Sequence, residues 1–382
     1  MRRVAILLTT RGNYAKMKST MRAIRARDDL RLVTLVGGGI IQERFGDYRP
    51  AILRDGFAID ASVDFLEGDA ATLESQTRSA GRAVSEIGRQ LGAFAPDILL
   101  VIADRWEALS AAFAALSMNI SIAHLEGGEV SGSIDERIRH AITKLAHLHL
   151  PANHAAADRI ARMGEERQRI VVVGTPSLDL LSEIDLSDRA RLADAPGGEG
   201  DPIDFTKDFI VVSQHPVVTE NEDAGRQIVE TAAAVRNQGL PIIWILPNMD
   251  AGGEGVMTAI RDIRRGGLGV PVRFYSAMGF QDYSILLAHT RCLVGNSSSG
   301  LREGAFLGTP VVNIGTRQTG RDRGANVIDV AVDRGRIVAA IARQLAHGRY
   351  PSDPLYGDGR AGEKIASALA AMPLTLDKTI AY

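Results

Sequence analysis

The chain repeats one grammar from end to end: a short apolar run, then a longer stretch with helical spacing. The runs "VAILL", "LRLVTLV", "DILLVI", "ISIAH", "LHLPA" and "RIVVVG" fill the first half. The second half has "FIVVSQ", "PIIWIL", "PVRFY", "RCLVGN" and "PVVNIG". Each is rich in Val, Ile or Leu and bounded by Gly, Pro, Asp or Asn, as expected of parallel strands buried on both faces. The intervening stretches, such as Thr72–Leu91 and Arg105–Met118, read as helices. Strands alternating with helices call for an α/β fold of doubly wound, Rossmann-like sheets. With 382 residues there is room for two such domains. The interruption "DAPGGEGDPIDFTKD", residues 194–208, has no apolar period and reads as a surface loop at a domain junction. A hinge is therefore expected between Gly174 and Asp208. Two such domains in series place a cleft between them, with ligands at the carboxyl ends of the strands.

Several classes of function are disfavoured. A net charge of -2 and few aromatic residues give no reason to expect a nucleic-acid partner. The single cysteine, Cys292, cannot form an internal disulfide, which fits a reducing compartment and a cytoplasmic location. "VAILL" is too short for a signal-peptide core. The apolar stretch Ala108–His124 is broken by Ser110, Ser117, Asn119 and Ser121, so no membrane span is expected. "VGGGI" is not a GxGxxG fingerprint, and His147 and His149 lack a third ligand at a recognisable spacing. No NAD and no metal are expected.

The densest chemistry lies in "HLEGGEVSGSIDERIRHAITKLAHLH", His124 to His149, which holds four of the eight histidines. "ISIAH" is a strand, and "LEGGEVSG" is the loop at its carboxyl end. Gly127 and Gly128 let that loop turn sharply. "SIDE", Ser133 to Glu136, reads as a capping box opening a helix. On it, Asp135 and Arg139 face one side, four residues apart. One strand earlier, "DILLVIADR" brings Asp104 to the same edge, followed by Arg105. Asp104 reads equally as a helix N-cap and as a site carboxylate. Crowded carboxylates push each other's pKa values apart, which suits one as acid and another as base. His124, His140, His147 and His149, taken singly, read as hydrogen-bonded structural groups.

In the second half, "RCLVGNSSSGLRE" runs from a strand into a serine-rich turn and a helix. Ser297, Ser298 and the helix N–H groups suit a diphosphate. Glu303 can accept from ribose hydroxyls. Arg317, in "GTRQTGRDRG", adds charge for phosphates. His215 ends the strand "VVSQH" and faces the same cleft.

These motifs together resemble the hydrolysing UDP-N-acetylglucosamine 2-epimerases of sialic acid pathways, from the first strand to about Val330. The form "HLEGGEVSG" matches the hydrolysing branch. The resemblance implies two Rossmann-like domains in the GT-B arrangement with an interdomain cleft. These would be residues 1–176 and 177–360, with a last helix at about 361–382 packing back on the first. It implies elimination of UDP to a 2-acetamidoglucal, then addition of water to give free N-acetylmannosamine. By motif match, Asp104, Glu126 and Asp135 become the catalytic carboxylates, with His215 near the diphosphate. Arg11, Arg105, His124, Arg139, Ser297, Ser298, Glu303 and Arg317 become contacts to UDP and sugar. A homodimer or homotetramer is implied, with no cofactor. Two departures, Gly39 where relatives commonly carry histidine and Ala103 where they carry glycine, bear on which sugar is taken. A UDP-2,4-diacetamido-2,4,6-trideoxy sugar is the alternative substrate. A non-hydrolysing epimerase and a GT-B glycosyltransferase are the alternative activities.

Overall fold

The computed structural model describes residues 1–43, 47–68, 72–131, 135–247 and 253–381. The chain opens with β1 (Arg2–Leu8), α1 (Arg11–Arg25), β2 (Leu30–Gly37), α2 (Arg49–Arg54), β3 (Ala61–Val63) and α3 (Leu73–Phe94). It continues through β4 (Ile98–Ile102), α4 (Trp106–Ser117), β5 (Ser121–Leu125), α5 (Asp135–Leu145), β6 (Leu148–Leu150) and α6 (His154–Arg162). Then come β7 (Gly198–Gly200), β8 (Ile210–Ser213), α7 (Ala224–Arg236), β9 (Ile242–Ile245), α8 (Gly253–Gly266), β10 (Val272–Tyr275) and α9 (Phe280–His289). The last elements are β11 (Cys292–Gly295), α10 (Glu303–Leu307), β12 (Val311–Ile314), β13 (Val327–Val330), α11 (Arg334–His347) and α12 (Ala361–Ala371).

Two compact units result: Met1–Leu180 with Gly357–Tyr382, and Leu181–Tyr356. The first sheet has the order β3-β2-β1-β4-β5-β6, all parallel. The second runs β13-β12-β11-β8-β9-β10-β7. Leaving β7 aside, both orders are the same Rossmann-like one, which reverses at β1/β4 and at β8/β11. Strands β4 and β5 are buried at every position, as double-sided cover by helices demands. One layer of the first core packs Val4, Ile6 and Leu8 against Tyr14, Met17 and Met21 of α1 and Ile365 and Leu369 of α12. Truncating such a leucine to alanine costs about 2–5 kcal/mol. Asp179 anchors α12 by accepting from the N–H groups of Ala361 and Gly362 at 2.8 and 2.7 Å.

Four expectations need correction. The 194–208 segment is not all loop: β7 lies in it and pairs antiparallel with β10. "RIVVVG" forms no strand and joins the sheet only through a bridge of His149 with Ile170. β3 and β13 are strands that the apolar runs did not announce. Helix α4 is preceded at its N-cap by Arg105, with no side-chain cap, so Asp104 is not the cap. Ser133 of the expected capping box lies outside the described residues. Among the described residues no helix is long and apolar enough to cross a membrane.

Candidate active site

In the first unit the candidate residues Asp104 and Glu126 lie just past the carboxyl ends of β4 and β5. Both β4 and β5 are followed by a residue other than glycine with left-handed backbone: Ala103 at φ 61° and Glu126 at φ 60°. L-residues rarely hold that conformation, and it turns the chain sharply at each strand end. Glu126 is buried, with 1% of its surface exposed. Its Oε2 accepts from Lys16 Nζ at 3.0 Å and its Oε1 from Thr175 Oγ1 at 2.6 Å. A buried carboxylate must have such partners, because an isolated charge there costs several kcal/mol. The loop beyond it depends on Gly128, at φ 75°, where a Cβ would lie 2.3 Å from the Ala156 carbonyl oxygen.

Asp104 is bound by the guanidinium of Arg139, on α5. Arg139 is itself buried and also donates to the Glu129 carbonyl at 2.8 Å and Ser131 Oγ at 3.2 Å. One arginine thus ties the end of β4 to the loop after β5. Arg139, expected from its spacing to face Asp135, also reaches Asp104 at the end of β4. Asp135 opens α5, and Glu136 beside it accepts from the Ser131 N–H at 2.8 Å. Arg105 is bridged to Glu107 at 2.8 Å. Arg11 opens α1 and is exposed.

His124 is fully buried beneath this loop. Its Nε2 lies 2.9 Å from the Ala103 carbonyl oxygen and its Nδ1 3.1 Å from Thr143 Oγ1. Only an Nε2–H can satisfy a carbonyl, so that nitrogen carries the proton. Burial pushes the imidazole down to about 4, and the ring is neutral at ordinary pH. The other histidines have separate partners. His147 Nδ1 accepts from the Ile122 N–H at 3.1 Å, His149 meets Glu165 at 3.0 Å, and His140 meets Glu136 at 3.5 Å. Among the described residues no group of three or more His, Cys, Asp or Glu is arranged to hold a metal.

In the second unit the groups gather where the strand order reverses, between β8 and β11. Asn296 closes that point: its Oδ1 accepts from the His215 N–H at 2.7 Å and its Nδ2 donates to the His215 carbonyl at 2.9 Å. The Asn296 carbonyl in turn accepts from Arg317 at 3.0 Å and Gln318 at 2.8 Å. Burial, and then the charge of Arg317, push His215 down to about 4. The serines form a linked row, Ser297 Oγ to Ser299 Oγ at 2.9 Å and on to Tyr283 at 2.7 Å. The helix expected after them is present but short. Ser298–Gly300 is a single 3-10 turn, and α10 has five residues, beginning at Glu303.

The profile of the UDP-N-acetylglucosamine 2-epimerase family fits residues 22–370. The chain belongs to that family. Its class of activity is 2-epimerisation of a UDP sugar. It is 32% identical to the hydrolysing UDP-N,N'-diacetylbacillosamine 2-epimerase of Legionella pneumophila, with 100% of both chains covered. It is 30% identical to the UDP-N-acetylglucosamine 2-epimerase of Neisseria meningitidis, over 94% of this chain and 92% of that one. The crystal structure of a Neisseria meningitidis UDP-GlcNAc 2-epimerase bound to UDP-GlcNAc matches with a TM-score of 0.79 at 15% identity, over 96% of this chain and 99% of that one. The Methanocaldococcus jannaschii enzyme, in complex with UDP-GlcNAc and UDP, matches with a TM-score of 0.79 at 16% identity, over 96% and 99%. These structural likenesses are of fold.

In this family member, the sequence motifs do not announce Lys16, Thr175 or Asn296 as site residues. Lys16 and Thr175 stand 110 and 49 positions from Glu126. No local spacing links them to it. Asn296 lies inside the motif "GNSSSG", between Gly295 and the serines, and its amide was the available signal.

Proposed function

We propose that the protein is a hydrolysing 2-epimerase of UDP-N-acetylglucosamine or a close UDP-2-acetamido sugar. The observation that carries this reading is the buried, doubly hydrogen-bonded carboxylate of Glu126 at the end of β5, next to the strand that delivers Asp104. In the first step the C1–O bond breaks with its electron pair leaving on UDP. The C2 proton passes to a carboxylate, and a C1=C2 double bond forms. Early departure of UDP gives C1 oxocarbenium character, which a fixed anion stabilises, as carboxylates do in glycoside hydrolysis. In the second step water adds oxygen to C1 and a proton enters C2 from the opposite face, giving free N-acetylmannosamine and UDP. Glu126 and Asp135 act around C2. Asp104, already neutralised by Arg139, positions the sugar, with His124 setting the loop beneath. Arg11 and Arg105 serve the phosphates. His215 stands near the diphosphate as a neutral hydrogen-bonding group, while Ser297, Ser298, Glu303 and Arg317 hold UDP.

A second reading keeps the reaction and changes the sugar to a UDP-2,4-diacetamido-2,4,6-trideoxyglucose. It is favoured by the Legionella pneumophila relative, which matches along the whole of both chains. Incubating the protein in D₂O with each UDP sugar in turn distinguishes the two. The expected result is UDP release with one of them and free sugar bearing deuterium at C2. An epimerised UDP sugar returned intact would refute hydrolysis, and UDP release from neither sugar would refute both readings.

A further inference from the structure

We propose that Thr175 is a positioning residue for this reaction, its hydroxyl aiming the carboxylate of Glu126; the inference rests on the role given to Glu126 above. Two donors to that carboxylate, Lys16 and Thr175, are not equivalent. Lys16 approaches Oε2 at 3.0 Å on a long flexible stem, and its side chain is 32% exposed. An ammonium of that kind supplies charge with little directional control. Thr175 is fully buried, and its Oγ1 stands 2.6 Å from Oε1. A β-branched side chain has few rotamers, so its hydroxyl is fixed once the backbone is fixed. The backbone is fixed: the Val173 N–H donates to the Pro151 carbonyl at 3.1 Å, and Gly174 turns at φ 91°.

The proton count gives the bond its direction. An ionised carboxylate only accepts, and a threonine hydroxyl has one proton. That proton goes to Glu126, so in the 3.4 Å contact with Ser177 Oγ the serine is the donor. One oxygen of Glu126 is thus pinned by a rigid donor. Its main chain is held too, by donation from its N–H to the Leu150 carbonyl at 3.1 Å. Thr175→Val keeps the shape of the side chain and removes only the donor. Oε1 then loses that donor in a place water does not reach, and the carboxylate rotates toward Lys16. A displacement of about 1 Å in a reacting group costs roughly a hundredfold in rate.

The test uses the full chain and whichever of the two UDP sugars the wild type turns over. Thr175→Val, Thr175→Ser and Glu126→Gln are compared for kcat, KM and UDP affinity. Thr175→Val should lower kcat about ten- to a hundredfold. KM and UDP affinity should stay within a factor of about two of wild type, and Thr175→Ser, which restores the hydroxyl, should recover most of the rate. A Thr175→Val enzyme with wild-type kcat beside an inactive Glu126→Gln overturns the positioning role and leaves the function of Glu126 standing. An active Glu126→Gln overturns the reading of Glu126 itself. A Thr175→Val loss that serine does not rescue, or that appears equally in UDP affinity, marks Thr175 as structural and overturns the proposal. If Thr175→Val does not fold, Thr175→Ala is read by the same outcomes.

Discussion

The two sheets share one strand order but turn their equivalent strand ends by different means. In the second unit β11 ends at Gly295, at φ 137°, and β12 is followed by Gly315, at φ 75°. Gly295 has no choice, since a Cβ there would stand 2.1 Å from the Ser213 carbonyl oxygen. In the first unit the corresponding strands, β4 and β5, are followed by Ala103 and Glu126, which hold left-handed backbone while carrying side chains. Glycine corners bring main chain close to a ligand. A strained glutamate corner instead aims a carboxylate. Under the proposed function, that difference would divide labour between a sheet that grips a nucleotide and one that does chemistry on a sugar.

The largest effect should come from removing charge at the glutamate corner. Glu126→Gln is expected to lower kcat by about 10²–10⁴-fold. Its cost in stability should be small, because Lys16 can turn to solvent. Asp104→Asn is expected to lose turnover and stability together. It removes the carboxylate that the buried Arg139 guanidinium binds, and removing one partner of a pair buried on one side costs up to about 3 kcal/mol. Activity assays beside urea unfolding curves separate the two cases. An Asp104→Asn protein as stable as wild type would break this account of Arg139.

At the glycine corners the expected loss is in binding. Arg317→Ala and Glu303→Ala should each weaken UDP by about 1.5–3 kcal/mol, as for a hydrogen bond to a charged group. The kcat at saturating substrate should fall much less. Calorimetry with UDP checks this. Unchanged affinity in both variants would remove the nucleotide from the second sheet.

Much of this architecture is legible in the amino-acid sequence. Strands buried on both faces have to be continuously apolar, so β1, β2, β4, β5, β8 and β9 declare themselves. β13 does not, because as an edge strand it is only partly covered. β7 is hidden in glycines because it contributes main-chain pairing to β10 and little side-chain packing. "RIVVVG" misleads for the opposite reason: Val173 is buried in the core without joining a ladder. At the site, the motifs name the carboxylates but not their partners. Spacing reveals neighbours on one helix, such as Asp135 and Arg139, but not that Arg139 also reaches Asp104, 35 positions away. The left-handed corners are invisible for a related reason, since an apolar run carries no mark of where its backbone turns.

Each sheet also has a neutral histidine near its strand ends, and pH should tell them apart. His124 lies near 4 when folded, against an ordinary 6.5. Unfolded chain therefore binds its proton first as pH falls. Stability from this group is complete above 6.5 and drains away between 6.5 and about 4. The loss is roughly 2–3 kcal/mol by the lower end. His215 moves the same way, but it is only half-buried and solvent screening should make its contribution smaller. The stability gap between wild type and His124→Gln should thus narrow toward acid more than the gap to His215→Gln. Equal narrowing would show that the two rings sit in equivalent surroundings.

The smallest effect tests the corner itself. Ala103 keeps both main-chain bonds in its left-handed state: its N–H donates to the Leu125 carbonyl at 2.9 Å, and its carbonyl accepts from His124. Glycine would keep both. Left-handed backbone costs an L-residue roughly 1–2 kcal/mol. Glycine returns about 0.5–1 kcal/mol of that through the greater freedom of its unfolded chain. Ala103→Gly should therefore stabilise the protein by about 0.5 kcal/mol, a rise in Tm of about 1–2 °C. The same change at Glu126 would relieve the same strain but remove the carboxylate, and with it turnover. A Tm that falls for Ala103→Gly would mean that the lost methyl packing outweighs the strain. The two corners of the first sheet would then be held by side-chain contacts, and the contrast with Gly295 and Gly315 would lie in packing rather than in backbone conformation.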